Sequence, residues 1–218
     1  MSCLWRRESS LAGREGETVS IPEATRTPGR GALLREFVRR PTQIGAIAAS
    51  SAALARAMLS GLDCDQAQVV VECGPGTGAF TSHILAELSP GATFLAIEIN
   101  EACAEFLEKL HPGVAIHRTC VSELPELCRK AGVGAVDIVV SGLPWAAFPS
   151  SQQQRLLGAI HGSLRPGGRF VTFAYSHAAG FPPGRRFSAL LGRTFAAVER
   201  SRTVWRNLPP AFVYRCRK

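Results

Sequence analysis

The residues best placed to do chemistry form the stretch Glu72-Cys73-Gly74-Pro75-Gly76-Thr77-Gly78-Ala79-Phe80, directly after Val69-Val70-Val71. A β-branched run ends in an acid, glycine then recurs at alternate positions, and a helical pattern follows. An apolar run of this kind reads as a buried strand, and glycines permit a tight turn and close backbone approach to a ligand. The helix start beyond them points free N–H groups at whatever occupies the turn. The pattern fits a loop that cradles a nucleotide-type cofactor such as S-adenosylmethionine (SAM). Gly74-x-Gly76-x-x-Ala79 also satisfies the dinucleotide pattern, and a plain strand-to-helix turn needs glycine as well. The loop alone therefore leaves SAM, a nicotinamide or flavin dinucleotide, and no cofactor all open. Glu98 ends the next apolar run, 24 residues beyond Gly74. A carboxylate there can bind ribose hydroxyls in either kind of nucleotide site.

These residues need a scaffold, and from residue 68 onward strand-like and helix-like segments alternate. Strands are expected at 68–73, 92–98, 113–117, 135–140 and 168–175, with helices at 78–89, 101–110, 123–130 and 150–165. Such alternation implies a parallel sheet with helices on both faces. The loop His177 to Arg186, a helix at 185–194 and two strands at 196–204 and 211–217 complete the chain. In an open α/β sheet, ligands sit beyond the carboxyl ends of the strands. Ser141-Gly142-Leu143-Pro144-Trp145, after the fourth strand, is thereby expected beside the glycine loop. Upstream, residues 32–40 place Leu33, Leu34, Phe37 and Val38 on one helical face and Arg35, Arg39 and Arg40 elsewhere, until Pro41 stops the helix. A second helix runs from Ile44 to near Gly61. Residues 1–30 are polar and without periodicity, as in a poorly ordered tail. The expected domains are the tail at 1–30, helices at 31–61 and the α/β unit at 62–218.

The chain has 218 residues and a net charge of +8. Residues 1–60 carry +4, residues 61–160 carry −6, and residues 161–218 carry +10. An acidic middle with basic ends fits contact with an anionic surface, either membrane or nucleic acid, and also a charge that serves solubility alone. No apolar run is long enough to span a bilayer. No apolar segment follows Arg6 and Arg7, so a secretory signal is not expected. The cysteines, 7 in all, form no C-x-x-C pair, and free thiols in a reducing cytoplasm are expected, with no metal site.

Taken together, these segments resemble the class I SAM-dependent methyltransferases. Glu72-x-Gly74-x-Gly76-x-Gly78 looks like their first motif, Glu98 like their ribose acid, and Ser141-Gly142-Leu143-Pro144-Trp145 like the loop of their amino-group members. Residues 33–218 further resemble the bacterial phospholipid N-methyltransferases. That likeness rests on Phe37-Val38-Arg39-Arg40-Pro41-x-x-Ile44-Gly45-Ala46-Ile47 with Ser50-Ser51, on the loop at 141–149, on Arg165-Pro166-Gly167-Gly168, and on Val204-Trp205-Arg206-Asn207-Leu208-Pro209-Pro210-Ala211. The resemblance implies an α/β, Rossmann-like, seven-stranded sheet with an N-terminal helical extension. It implies methyl transfer from SAM to the amine of phosphatidylethanolamine or a related aminolipid, by a cytoplasmic protein bound peripherally at the inner face of the membrane. Cys120 departs from the pattern, since an Asp usually stands there to bond the adenine amino group. The Val121 backbone N–H remains for the ring.

On this resemblance Glu72, Gly74, Gly76, Thr77 and Gly78 face the methionyl part of SAM, Glu98 and Ile99 the ribose side, and Cys120 and Val121 the adenine. Gly45 and Ser51 reach the cofactor from the second helix, and Ser141 lies against it. Methyl transfer from a sulfonium needs proximity, alignment and a neutral amine. Backbone carbonyls at Ser141, Gly142 or Leu143 can aim the amine, and Trp145 and Tyr175 can cover its cationic products. His177 can line the same cleft. Leu33, Leu34, Phe37 and the arginines of 32–40 would meet the membrane, and Arg185 and Arg186 the lipid phosphodiester. An RNA adenine N6-methyltransferase, a soluble small-molecule methyltransferase and a non-catalytic SAM- or membrane-binding module stand as rivals. Too few residues follow Tyr175 for an added RNA-binding domain, so nucleic acid is not the expected partner.

Overall fold

The computed structural model describes residues 51–218. The tail expected at 1–30, the basic helix at 32–40 with Leu33, Leu34, Arg35, Phe37, Val38, Arg39 and Arg40, and Gly45 lie outside the described residues.

The strands are β1 (Val69–Cys73), β2 (Thr93–Ile97), β3 (Ala115–His117), β4 (Val136–Ser141), β5 (Leu164–Tyr175), β6 (Ala197–Arg200) and β7 (Ala211–Arg217). They form one sheet in the order β3-β2-β1-β4-β5-β7-β6. The first five pair in parallel, and β7 runs antiparallel between β5 and β6. The order reverses between β1 and β4, which opens a crevice at their carboxyl ends. The helices are α1 (Ala52–Leu59), α2 (Thr81–Glu87), α3 (Glu101–Leu110), α4 (Leu124–Lys130), α5 (Ser150–Ser163) and α6 (Pro182–Thr194).

Alternation along the strands divides the core in two. Val71, Cys73, Val139 and Phe170 pack on one face with Leu124 of α4, Leu157 and Ile160 of α5 and Leu191 of α6. Val70, Ile138, Val140 and Val171 pack on the other with Leu54 and Met58 of α1 and Ile84 of α2. Both faces of the parallel strands are covered, which explains why they read as continuous apolar runs. Cys64, Cys73, Cys103, Cys120, Cys128 and Cys216 are free thiols. Burial pushes Cys64 and Cys103 up to about 11 and Cys216 to about 12, which keeps them protonated.

Several boundaries differ from the sequence reading. The helix after the glycine loop starts at Thr81, because Gly78 has a φ of 83° that no helix accommodates. The fifth strand begins at Leu164, inside the segment read as helix. Gly167, with a φ of 75°, lets it bulge where its register against β4 shifts between Val136 and Ile138. The sixth helix starts at Pro182, since proline fits a first helical turn, so Arg185 and Arg186 belong to helix and not to a loop. The sixth strand stops at Arg200. Beyond it Ser201 N still donates to Val213 O, but the Ser201 hydroxyl and not its carbonyl accepts from Val213 N at 2.9 Å, and pairing returns only as a single bridge between Val204 and Ala211. The second helix was expected to pass through residue 51, but Ser51 is extended and caps α1, its hydroxyl accepting from Leu54 N at 3.2 Å.

Candidate active site

β1 delivers the chain into the crevice, and Gly74 N donates to Ile97 O of β2 at 2.9 Å. The next turns favour glycine. Gly74, Gly76 and Gly78 have φ of 70°, 59° and 83°. A Cβ on Gly74 would lie 2.6 Å from Leu143 Cδ2, whereas one on Gly76 would meet open space. The loop is thus pinned at its base and bare where a ligand would approach, with Thr77 exposed at its tip.

Two carboxyls flank this loop. Glu72 is fully buried, and its Oε2 accepts from the Thr81 hydroxyl at 2.7 Å. Its Oε1 is buried with no partner among the described residues. Burial, aided by the nearby Glu98 charge and opposed by the Thr81 bond, pushes Glu72 up to about 8. Glu98 sits at the end of β2, 7% exposed. It accepts from Gly76 N at 3.0 Å and Asn100 N at 2.8 Å. Burial raises its pKa, and these backbone donors work against that rise. Glu98 therefore holds the tip of the glycine loop and keeps further lone pairs for a ligand's hydroxyls. Ile99 beside it is 58% exposed, an apolar side chain at the crevice mouth. Cys120 is partly buried against the core at the start of the turn Val121–Glu123, and the Val121 side chain is buried.

The loop after β4 lies directly against this turn, as expected. Gly142 N donates to Cys73 O at 2.9 Å, and a Cβ on Gly142 would come within 2.5 Å of Gly74 O. Only glycine allows the two chains to approach so closely. Cys73 pairs with Ser141, so the next parallel ladder bond would run from residue 75 to the Gly142 carbonyl. Pro75 has no N–H to give. The other two carbonyls of the loop are engaged, Ser141 O by the Thr172 hydroxyl at 3.0 Å and Leu143 O by Trp145 N at 2.9 Å. Among the described residues, Gly142 is the carbonyl of the three with no hydrogen bond, so both of its lone pairs are open to an incoming donor.

Trp145 is placed differently from the expectation. It is 3% exposed, stacked on Phe187 with centroids 4.7 Å apart, and edge-on to Phe148 and Phe170. Its indole N–H donates to the Ser141 hydroxyl at 3.1 Å. The ring anchors the loop from the core, and its face is not available to cover an amine. Tyr175 is half-buried at the end of β5 and stacks against His177, which is exposed. Ser51 caps α1 with its hydroxyl, which gives it a structural role and leaves its proton free to donate. Arg185 and Arg186 are exposed on the first turn of α6. Among the described residues, no group of His, Cys, Asp and Glu is arranged to hold a metal ion.

Sequence reasoning passed over Thr81, Asn100, Pro75 and Thr172, which position the groups it did name. Asn100 had a readable signal, a helix cap just before an apolar periodic run, and its side chain accepts from Cys103 N at 3.0 Å. The partners of Thr81 and Thr172 are long-range and left no local trace.

Residues 70–168 match the family model for a methyltransferase domain. The chain is 30% identical over 193 residues to an ornithine lipid N-methyltransferase of Singulisphaera acidiphila, spanning 85% of this chain and 94% of that protein. This chain belongs to the class I SAM-dependent methyltransferases. SAM is its methyl donor. Solved structures share the fold. An O-methyltransferase from Streptomyces achromogenes in complex with SAM aligns with a TM-score of 0.63 at 19% identity, over 85% of this chain and 89% of that one. The Burkholderia thailandensis 1,6-didemethyltoxoflavin-N1-methyltransferase aligns at 0.61 and 21% identity, over 92% and 93%. The site of this methyltransferase suits the donor on its own geometry: a bare glycine turn, a buried acceptor oxygen without a partner, and a second carboxyl held at the rim.

Proposed function

We propose that this methyltransferase methylates the amine of an aminolipid, phosphatidylethanolamine or a related headgroup, at an anionic membrane surface. The observation that carries this reading is the likeness to an ornithine lipid N-methyltransferase over 94% of that protein's length. The bound donor supplies a methyl group on a sulfonium, ready for in-line displacement.

The residues divide the remaining work. Glu98, with Ile99 beside it, holds the ribose hydroxyls, and Glu72 Oε1 takes the donor's ammonium group. Gly74, Gly76, Thr77 and Gly78 line the methionyl part, and Cys120 and Val121 bound the adenine. An alkylamine has a reference pKa of about 10 and must be neutral to attack. The Gly142 carbonyl is the acceptor that aims its lone pair, because an N–H held there fixes the nitrogen. Tyr175 and His177 cover the amine side of the crevice. We place the enzyme in the cytoplasm, peripherally bound at the inner face of the membrane. The basic apolar pattern at 32–40, together with Arg185 and Arg186, supports that placement. No helix among the described residues is long and apolar enough to cross a bilayer.

The test is incubation of the full chain with labelled SAM and a panel of aminolipid vesicles, RNA and small amines. Label is expected in an aminolipid and released by headgroup cleavage. Label in RNA or in a soluble amine, with none in lipid, overturns the reading.

A further inference from the structure

The connection from β6 to β7 carries two large apolar side chains into solvent, Trp205 at 78% and Leu208 at 79% exposure. Between them Asn207 turns inward and is 1% exposed. Its Oδ1 accepts from Ser51 N at 3.0 Å, and its Nδ2 donates to Pro209 O at 2.7 Å. The turn is therefore built and held, not a loose end. Its base is fixed to the crevice edge, since Ala211 pairs with Tyr175 and Ser176 N donates to Pro210 O at 2.9 Å. Tyr175 ends β5 on the side where the crevice opens, so Trp205 and Leu208 stand at its rim. Phe181, 62% exposed, lies on the neighbouring β5–α6 loop.

The chemistry around these side chains selects the partner. Arg202 and Arg206 are exposed on the same turn, and residues 200–218 contain no acid. Exposed apolar groups rimmed by polar ones mark interaction sites. Tryptophan favours a membrane–water interface, where its ring is apolar and its N–H stays wet. A nucleic acid would stack on Trp205 and Phe181 but offers no apolar surface to the exposed Leu208. We infer that the Arg202–Leu208 turn is a membrane-contact element, inserting Trp205 and Leu208 into an anionic leaflet beside the crevice while Arg202 and Arg206 meet lipid phosphates. The choice of a lipid surface rests on the aminolipid reading of the site. The contact would bring a headgroup amine to the crevice without lifting the lipid from its bilayer, because the inserted turn and the crevice share one edge of the sheet.

The experiment uses the full chain and vesicles of phosphatidylcholine and phosphatidylglycerol with brominated acyl chains, which carry no methylatable amine. Trp205 fluorescence is expected to be quenched by these vesicles, and the Trp205→Phe variant is expected to lose most of that quenching. The Trp205→Ala/Leu208→Ala pair is expected to bind the vesicles at least about tenfold more weakly, from the loss of two inserted side chains. Its SAM affinity by calorimetry is expected to be unchanged. Equal quenching in the wild type and Trp205→Phe overturns the proposal. So does a Trp205 that stays unquenched on vesicles that bind the protein, which would mean that the turn packs against protein. Quenching by RNA in place of bromolipid overturns it too. If Trp205 is quenched as expected but no aminolipid accepts a methyl group, the substrate assignment fails and the contact stands.

Discussion

Replacing Gly142 with alanine tests whether the two loops must touch for this enzyme to work. The new Cβ would sit 2.5 Å from the Gly74 carbonyl oxygen, where ordinary contact begins near 3.4 Å. The obstacle is backbone, so no side-chain rotation relieves it, and the chains must separate by about 0.9 Å. That movement pulls on the 2.9 Å bond from Gly142 N to Cys73 O and displaces Gly74 at the base of the cofactor turn. Overpacking of this kind costs about 1–3 kcal/mol of stability. A misplacement near 1 Å costs about 100-fold in rate. Gly142→Ala is therefore expected to fold with the wild-type circular dichroism spectrum and to unfold at lower urea. Its turnover with labelled SAM should fall by about 10- to 100-fold, more than its SAM affinity falls. Gly158→Ala serves as the control, because that glycine lies within α5 with open space around it. It should gain about 0.5–1 kcal/mol and keep its rate. Wild-type turnover in Gly142→Ala would refute the claim that contact between the loops positions the acceptor.

Two further predictions concern the carboxyls. Glu98→Ala removes the acceptor of both Gly76 N and Asn100 N together with the proposed ribose contacts. SAM affinity by calorimetry should fall by about 100-fold or more, and an unchanged dissociation constant would remove Glu98 from the cofactor site. Glu72 loses its proton near pH 8 in the cofactor-free fold but near 4.5 in the unfolded chain, so unfolding between those values releases a proton. The contribution of Glu72 to the stability of the cofactor-free enzyme should thus be greatest at the acid end of that window, fall as pH rises, and level off above about 8. Glu72→Gln should flatten this slope, and parallel melting-temperature profiles for the two proteins would show that the buried carboxyl does not titrate there.

Much of the fold was legible because its signals are local. The alternation of apolar runs and helical periods placed all seven strands and the helices beyond residue 62 to within a few residues, while the helix expected from Ile44 starts at Ala52. Some boundaries moved where glycine or proline changed the local geometry, as at Gly78, Gly167 and Pro182, and others where a serine hydroxyl took a backbone N–H, as at Ser51 and Ser201. The glycine turn, Glu72 and Glu98 were legible because a strand, a tight turn and an acid at a strand end follow one another in the chain. Trp145 was misread because an aromatic beside a functional loop looks the same in sequence whether it faces the crevice or the core. Phe187 and Phe170, which decide the matter by packing on its ring, lie 42 and 25 residues away. The helical reading of Ser51 failed for a related reason, since Asn207, 156 residues on, fixes the end of α1.

The sequence by itself determined the elements proposed to hold the donor: an apolar strand, a glycine turn and two carboxyls, each specified by short-range chemistry. Tertiary structure alone decided the geometry on which the proposed acceptor side rests. Which carbonyl is left for an amine depends on Pro75 standing opposite Gly142 across a strand pair that joins residues about 68 apart. Which apolar residues face solvent depends on Asn207 being drawn inward beneath Trp205 and Leu208. Both follow from pairings between distant segments, and such pairings exist only once the sheet has assembled.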